Sequence, residues 1–396
     1  MKEKNKILST VCIYHAVNDG SVAVIPILFP VFKSIFSLTY TQVGFITGGG
    51  FILTLIAQLV IGRIADGKNF SNLLKTGLLL VGISMLLLSQ SSGFITLIIF
   101  IFILRLSSSF FHPIGVGWIS KIFKKDRLDR AMGIQSGCAD IGAFIALSTT
   151  LYLSEINGWS FTLYLWAILC VSAVLIGIIL TKNLKDEYII TKYNKKKIKI
   201  KQAIFDEFKF IKRIKLLAPA FMISGSALGV TMTYLPLLLN ERTDMSLSLI
   251  GLIVASWIGM GSIASFSYGK IASYIKRKNI LLVSYFFIGL TGIILTYFVN
   301  PLILLVIFLI MGVSTFLTFP ALFAFVSEST HESVEGRTFG TIFTLQLGGG
   351  TILLFLGGIL SDIYGIWMPF LILGSLSLIL TIGLIINYKK PVISLK

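Results

Sequence analysis

Twelve apolar runs of about 18 to 25 residues follow one another along the chain, at roughly 8–31, 43–65, 72–91, 93–118, 131–153, 160–181, 215–238, 247–271, 279–298, 301–325, 338–360 and 366–387. A helix of that length, rising about 1.5 Å per residue, crosses the roughly 30 Å hydrocarbon core of a bilayer. The composition agrees. The 396 residues are 55% hydrophobic and only 13% charged, with a mean hydropathy of +0.91, a balance that a water-soluble domain does not need. The pattern predicts an all-α polytopic membrane protein with twelve spans.

A formal net charge of +17 invites a nucleic-acid reading, but the placement of the charge opposes it. Of the 34 Lys and Arg, 31 fall at the N-terminus, in the even-numbered loops or in the C-terminal tail; Lys33 and Arg242 fall on the other side, and Arg105 lies within a span. By the positive-inside rule both termini are cytoplasmic, in the cell membrane. The run Lys195, Lys196, Lys197, Lys199 and Lys201 is then read as a topology signal suited to anionic lipid, and no nucleic-acid partner is expected. Cys12, Cys138 and Cys170 sit in three different spans, so neither a disulfide framework nor a CxxC metal site is indicated. The first run carries His15, Asn18 and Asp19 and is too long for the core of a signal peptide, so it is expected to be retained as a helix.

Sliding the chain on itself by 207 residues aligns many punctuating positions without gaps. Gly44 falls on Gly251, Gly62 on Gly269, Pro113 on Pro320, Arg130 on Arg337, Gly133 on Gly340 and Gly142 on Gly349. Leu153-Ser-Glu-Ile-Asn-Gly158 likewise falls on Leu360-Ser-Asp-Ile-Tyr-Gly365. So many coincidences at one offset indicate a duplication. Each copy holds six spans, an even number, so the copies are parallel repeats related by an axis along the membrane normal. The predicted organisation is a six-helix bundle over 1–181, a basic cytoplasmic linker over 182–214 and a second six-helix bundle over 215–396.

Gly62-Arg63-Ile-Ala-Asp66-Gly-Lys68, between spans 2 and 3, resembles the signature loop of the major facilitator superfamily. The resemblance extends over the whole chain through the repeat, although Ser273 stands where a second-copy acid would fall. It implies the major facilitator fold, with spans 1, 4, 7 and 10 lining a central cavity. It also implies a cytoplasmic gating role for Gly62, Arg63, Asp66, Lys68, Gly269, Arg130 and Arg337. Within the superfamily, His15-x-x-Asn18-Asp19, Phe111-His112-Pro113 and Gln135-Ser-Gly137 are similar to the fosmidomycin-resistance group of drug exporters.

The chemistry concentrates in the first half. Arg105 lies near the middle of span 4, where a charge costs about 2.5–3.5 kcal/mol on insertion scales and marks a functional site that needs a partner. At helical spacing Arg105, Ser108 or Ser109, and His112 share a face, as do His15, Asn18 and Asp19 on span 1. Asp19 and Asp140 lie at a similar depth in spans 1 and 5, so Asp19, Arg105 and Asp140 are the predicted proton-coupling groups. His15, Asn18, Ser108, Ser109, His112, Gln135, Tyr234 and Thr318 are predicted to line the substrate cavity. His15, His112 and Asp19 have the right chemistry for a metal, but no dense ligand spacing supports one, and none is assigned. The cavity helices of the second half carry hydroxyl and aromatic residues and no buried charge. Pro26, Pro113, Pro236 and Pro320 fall on the four cavity helices and are candidate bends.

The reading is a secondary transporter working by alternating access, a proton-coupled exporter of small amphipathic or anionic compounds such as drugs. The chain has no Gly-x-x-x-x-Gly-Lys-Ser/Thr nucleotide motif, so an ion gradient is the expected energy source. It is expected to be a monomer and not an enzyme, with no cofactor and with protons, a small-molecule substrate and lipid as partners. Two alternatives stay open: an importer of an organic acid or similar nutrient, and a membrane receptor or scaffold that transports nothing.

Overall fold

Apolar runs this long form helices because every peptide group is then satisfied within its own segment. The computed structural model describes residues 3–65, 68–123, 125–185, 217–297, 300–329 and 335–388. Asp66, His331 and nearly all of the predicted linker lie outside them, and the side chains of Arg63 and Arg337 are likewise not described. The described residues are helical in the order α1 (Glu3–Ile27), α2 (Phe29–Phe36), α3 (Tyr40–Ile64), α4 (Phe70–Leu88), α5 (Phe94–Ser108), a π-helical turn (His112–Val116), α6 (Gly117–Ile122), α7 (Lys125–Asn157) and α8 (Trp159–Thr181). The second half follows as α9 (Ala218–Arg242), α10 (Leu247–Tyr274), α11 (Arg277–Ile294), α12 (Pro301–Ser329), α13 (Glu335–Tyr364) and α14 (Met368–Ile386). Among the described residues, eleven segments are long and apolar enough to cross a membrane, and α1 with α2, bent by 47°, makes a twelfth when the pair is taken as one span. Large aliphatic side chains such as Ile179, 74% exposed, point outward from them, which water penalises and lipid does not.

The chain divides into two compact units. The first comprises Met1–Leu38, Gly49–Lys195 and Ser246–Ala255; the second comprises Thr39–Gly48, Lys196–Met245 and Ser256–Lys396. Within the first, α1 packs on α7 and α8, and α4 packs on α8 and α5. Within the second, α9 packs on α13 and α14, and α11 on α14 and α12. The tightest pairing recurs at the 207-residue offset. A Cβ on Gly142 would come within 1.9 Å of the Ala16 carbonyl oxygen, and a Cβ on its equivalent Gly349 within 2.5 Å of the Met222 carbonyl oxygen. Backbones approach this closely only through glycine, which explains Gly142 by packing alone.

The repeat also explains the first turns of α3 and α10. Thr39 and Gln42 cap α3 reciprocally, at 3.0 and 3.1 Å. The Asp362 carboxylate accepts the next two backbone N–H groups, those of Tyr40 and Thr41, at 2.8 Å each. In the second copy Ser246 Oγ accepts the Leu249 N–H at 3.3 Å, and Glu155 accepts the N–H of Ser248 at 3.3 Å together with its hydroxyl. Glu155 and Asp362 are 207 residues apart. Each is followed by a glycine with positive φ, Gly158 at 82° and Gly365 at 110°, which turns the chain into the next helix.

Candidate functional site

The site begins with a break in a helix. α5 ends at Ser108, and Pro113, which has no N–H to continue the ladder, sits in a widened π-helical turn before α6. Ser108 and Ser109 turn their hydroxyls back onto the Arg105 carbonyl, at 3.1 and 2.6 Å, and occupy the backbone acceptor at the break. The expected serine face is therefore spent on the helix end. The turn brings Phe111 and His112 onto α1, where Phe111 stacks on the His15 ring at 4.2 Å between centroids. His112 meets the same ring edge-on at 5.3 Å.

His15 has its tautomer assigned by geometry. Its Nδ1 lies 2.9 Å from the Gln135 carbonyl of α7, and a carbonyl only accepts, so Nδ1 carries the hydrogen. Nε2 is left facing Asp19 Oδ2 at 3.3 Å, buried and without a hydrogen-bond partner. Asp19 Oδ1 accepts from the Asn18 amide at 2.9 Å and lies 3.8 Å from His112 Nε2. The Asp19 side chain keeps 28% of its surface open and that of His112 46%, so the cluster is not sealed. All three ionisable groups named from the sequence on α1 and at the π turn thus converge.

Arg105 is buried, lies close enough to feel the Asp19 charge, and has its Nε without a hydrogen-bond partner. Its guanidinium stands 5.5 Å over the Phe51 ring. Gly50 makes room for it, since a Cβ there would lie 3.3 Å from Arg105 Cγ and Nε. In the second copy the sizes are exchanged. Gly312 replaces Arg105 and Trp257 replaces Gly50, and a Cβ on Gly312 would lie 2.3 Å from the Trp257 carbonyl oxygen. Asp140 is half-buried on α7, and Gln135 takes part through its backbone carbonyl while its side-chain amide donates to Ser136 at 3.1 Å.

Other predicted residues are committed to structure. Tyr234 is buried and its hydroxyl donates to the Leu354 carbonyl at 2.5 Å. Thr318 accepts from Ser224 at 2.8 Å and donates to the Thr315 carbonyl at 2.6 Å, while Tyr285 on α11 joins Ser224 at 2.8 Å. Gly62 lies beside Pro113, whereas among the described residues no atom comes within 4 Å of where a Cβ on Gly269 would stand, and Lys68 and Arg130 are exposed. Pro26 lies in α1 two residues before the bend at Leu28, and Pro30 opens α2. Pro236 and Pro320 lie inside α9 and α12. Cys12 and Cys138, which the sequence separates, are neighbours across α1 and α7 as free thiols. Sequence reading missed Phe111 as a stacking partner, the Gln135 carbonyl and the Phe51–Gly50 seat of Arg105; the triplet Gly48-Gly-Gly50 was the available signal for the last.

The sequence profile of the Major Facilitator Superfamily matches residues 11–353. The chain belongs to this superfamily. It is thus a multi-pass membrane transporter of small-molecule substrates, and not an enzyme. It is 26% identical over 353 residues to the uncharacterized transporter MJ1560 of Methanocaldococcus jannaschii, covering 86% of this chain and 87% of that one. It is 35% identical over 109 residues to the uncharacterized transporter YfnC of Bacillus subtilis, a match spanning 28% of this chain and only 27% of YfnC. Among solved structures, the nucleoside transporter NupG superposes with a TM-score of 0.82 at 14% identity, over 96% of this chain and 100% of that one. The inward-facing, occupied form of a bacterial homologue of the human lysosomal transporter Spinster gives 0.79 at 13%, over 99% and 98%. At these identities the superpositions show the shared fold alone.

Proposed function

We propose that this transporter is a proton-coupled exporter of small amphipathic or anionic compounds, working by alternating access, with the proton held between His15 Nε2 and Asp19 Oδ2. One observation carries the reading: the Gln135 carbonyl holds His15 so that two acceptors face each other at 3.3 Å. Lone pair against lone pair is repulsive, and a proton between them turns the contact into a charge-assisted hydrogen bond. Loss of that proton leaves the Asp19 carboxylate in need of another partner. Arg105, held nearby with a free Nε, is that partner, or else binds the anionic group of a substrate. Proton occupancy thereby selects which charged groups pair, and the pairing biases the conformational equilibrium. The resemblance to the fosmidomycin-resistance group supports export and a phosphonate-like anion, and the distribution of Lys and Arg supports cytoplasmic termini. Asp140, the gating residues between spans 2 and 3, and the proline bends retain their expected roles in this scheme.

The test is flux in proteoliposomes under an imposed pH gradient, with fosmidomycin as the probe solute and a trapped dye reporting internal pH. The native chain is expected to move the solute against the direction of the proton. Asp19→Asn is expected to abolish gradient-driven accumulation while leaving downhill exchange in part. A variant that still concentrates the solute would place coupling elsewhere. Movement of solute and proton in the same direction would make the protein an importer.

A further inference from the structure

We propose that His15 Nε2, an Asp19 carboxylate oxygen and His112 Nε2 form a binding site for a divalent transition cation of the zinc, cobalt and nickel class. The proposal stands on the geometry of the cluster, whether or not the same groups carry the coupling proton. With one ligand atom from each residue, the three donors lie within 4.8 Å of one another; Asp19 Oδ2 stands 3.3 Å from His15 Nε2, and its other oxygen, Oδ1, 3.8 Å from His112 Nε2. Ligands about 2.0–2.1 Å from a tetrahedral zinc stand roughly 3.3–3.5 Å apart, so the His15–Asp19 pair is already at ligating separation. His112 closes the set by a movement on the order of 1 Å. Its half-exposed side chain, at the π-helical turn, is free enough to make it.

The surroundings are those that a metal site requires. The Nδ1–H of His15 donates to the Gln135 carbonyl at 2.9 Å, which fixes the ring and aims the Nε2 lone pair into the cluster. That Nε2 is buried, meets no hydrogen-bond donor and faces only the Asp19 carboxylate at 3.3 Å, so without the proton its lone pair is open to a cation. The Asn18 amide at 2.9 Å orients the Asp19 carboxylate in the same way. The partial exposure of Asp19 and His112 leaves room for water as a fourth ligand. Two imidazoles with one carboxylate suit borderline cations, whereas calcium and magnesium prefer an all-oxygen set. Arg105 opposes the cation, because its charge reaches the same carboxylate. Binding is therefore reversible and weaker than that of a structural zinc, as befits an inhibitor or regulator rather than a resident ion. An occupying metal uses the lone pairs that a proton would use, so the two exclude each other.

The experiment titrates cobalt into the purified full chain in detergent, with any affinity tag removed, and follows the visible absorption of four-coordinate cobalt and its displacement by zinc. One cobalt per chain is expected. His15→Gln, Asp19→Asn and His112→Gln are each expected to weaken binding at least tenfold. His331→Gln, which removes the remaining histidine, is expected to leave it unchanged. Zinc is expected to raise the melting temperature of the native chain and to have no such effect in His112→Gln, whose side chain is half-exposed and whose fold is checked by its melting without metal. The proposal is overturned by no tetrahedral cobalt signal in the native chain, by binding that survives all three substitutions, or by binding lost equally in His331→Gln. Flux assays play no part in these outcomes, so failure of the proton-coupling reading leaves them interpretable.

Discussion

A buried arginine in a membrane is costly, and Arg105 shows what a single residue then demands of its neighbours. Gly50 gives up its side chain to make room, Phe51 presents a ring face, and Asp19 supplies the opposing charge. The second copy, with Gly312 and Trp257 in those places, has closed the same helix contact and carries no charge there. The planar guanidinium can meet a carboxylate or phosphonate through two parallel hydrogen bonds, which an ammonium cannot reproduce. Arg105→Lys is therefore expected to lose transport as fully as Arg105→Ala. Measured fosmidomycin flux in the lysine variant equal to native would reduce Arg105 to a generic positive charge.

At the level of elements, a cap and a break do the positioning. Pro113 interrupts the span that starts with α5 and swings His112 to Asp19, a contact that regular helical spacing does not contain. Besides their local caps, α3 and α10 take acceptors from far away in sequence, Asp362 and Glu155, so each helix start is tied to a distant helix end. Asp362→Ala leaves two N–H groups at the start of α3 without their acceptor, at a cost of about 1 kcal/mol. A lowered melting temperature is expected, and Asp362→Asn, which retains an acceptor oxygen, is expected to recover most of it. Equal melting of all three proteins would mean that water serves the α3 terminus as well as the carboxylate does. The match of Leu153–Gly158 with Leu360–Gly365 was visible in the sequence as a repeat, but nothing local announces that its acid caps another helix.

For the whole molecule, the duplication is the main constraint. The same four helix pairings recur in both units, and the close glycine contact recurs with them. Under alternating access, Pro113 and Pro320 occupy equivalent places in the two copies, and the segments after them are expected to approach each other when the transporter opens outward. Spin labels at Gly117 and Ala324 are expected to show two distance populations whose weights change with pH. A single distance, indifferent to pH and to added fosmidomycin, would count against rocking of the halves.

The sequence by itself determined the spans, the repeat and the superfamily, because hydrocarbon forces each segment to be a helix and a duplication leaves its period in the chain. It also marked His15, Asn18, Asp19, Arg105 and His112, since polar groups in an apolar run stand out whatever their partners. Only the tertiary structure decided what these groups face. The 3.3 Å contact between His15 and Asp19 matters because a carbonyl on α7 fixes the ring, and that carbonyl belongs to Gln135, 120 residues away. Backbone acceptors carry no signature in the residue type, and the sequence drew attention to the Gln135 side chain instead. The same limit explains Ser108, Ser109, Tyr234 and Thr318. Each has a hydroxyl that the sequence leaves free for a substrate, and folding brings a protein acceptor within hydrogen-bonding reach of it.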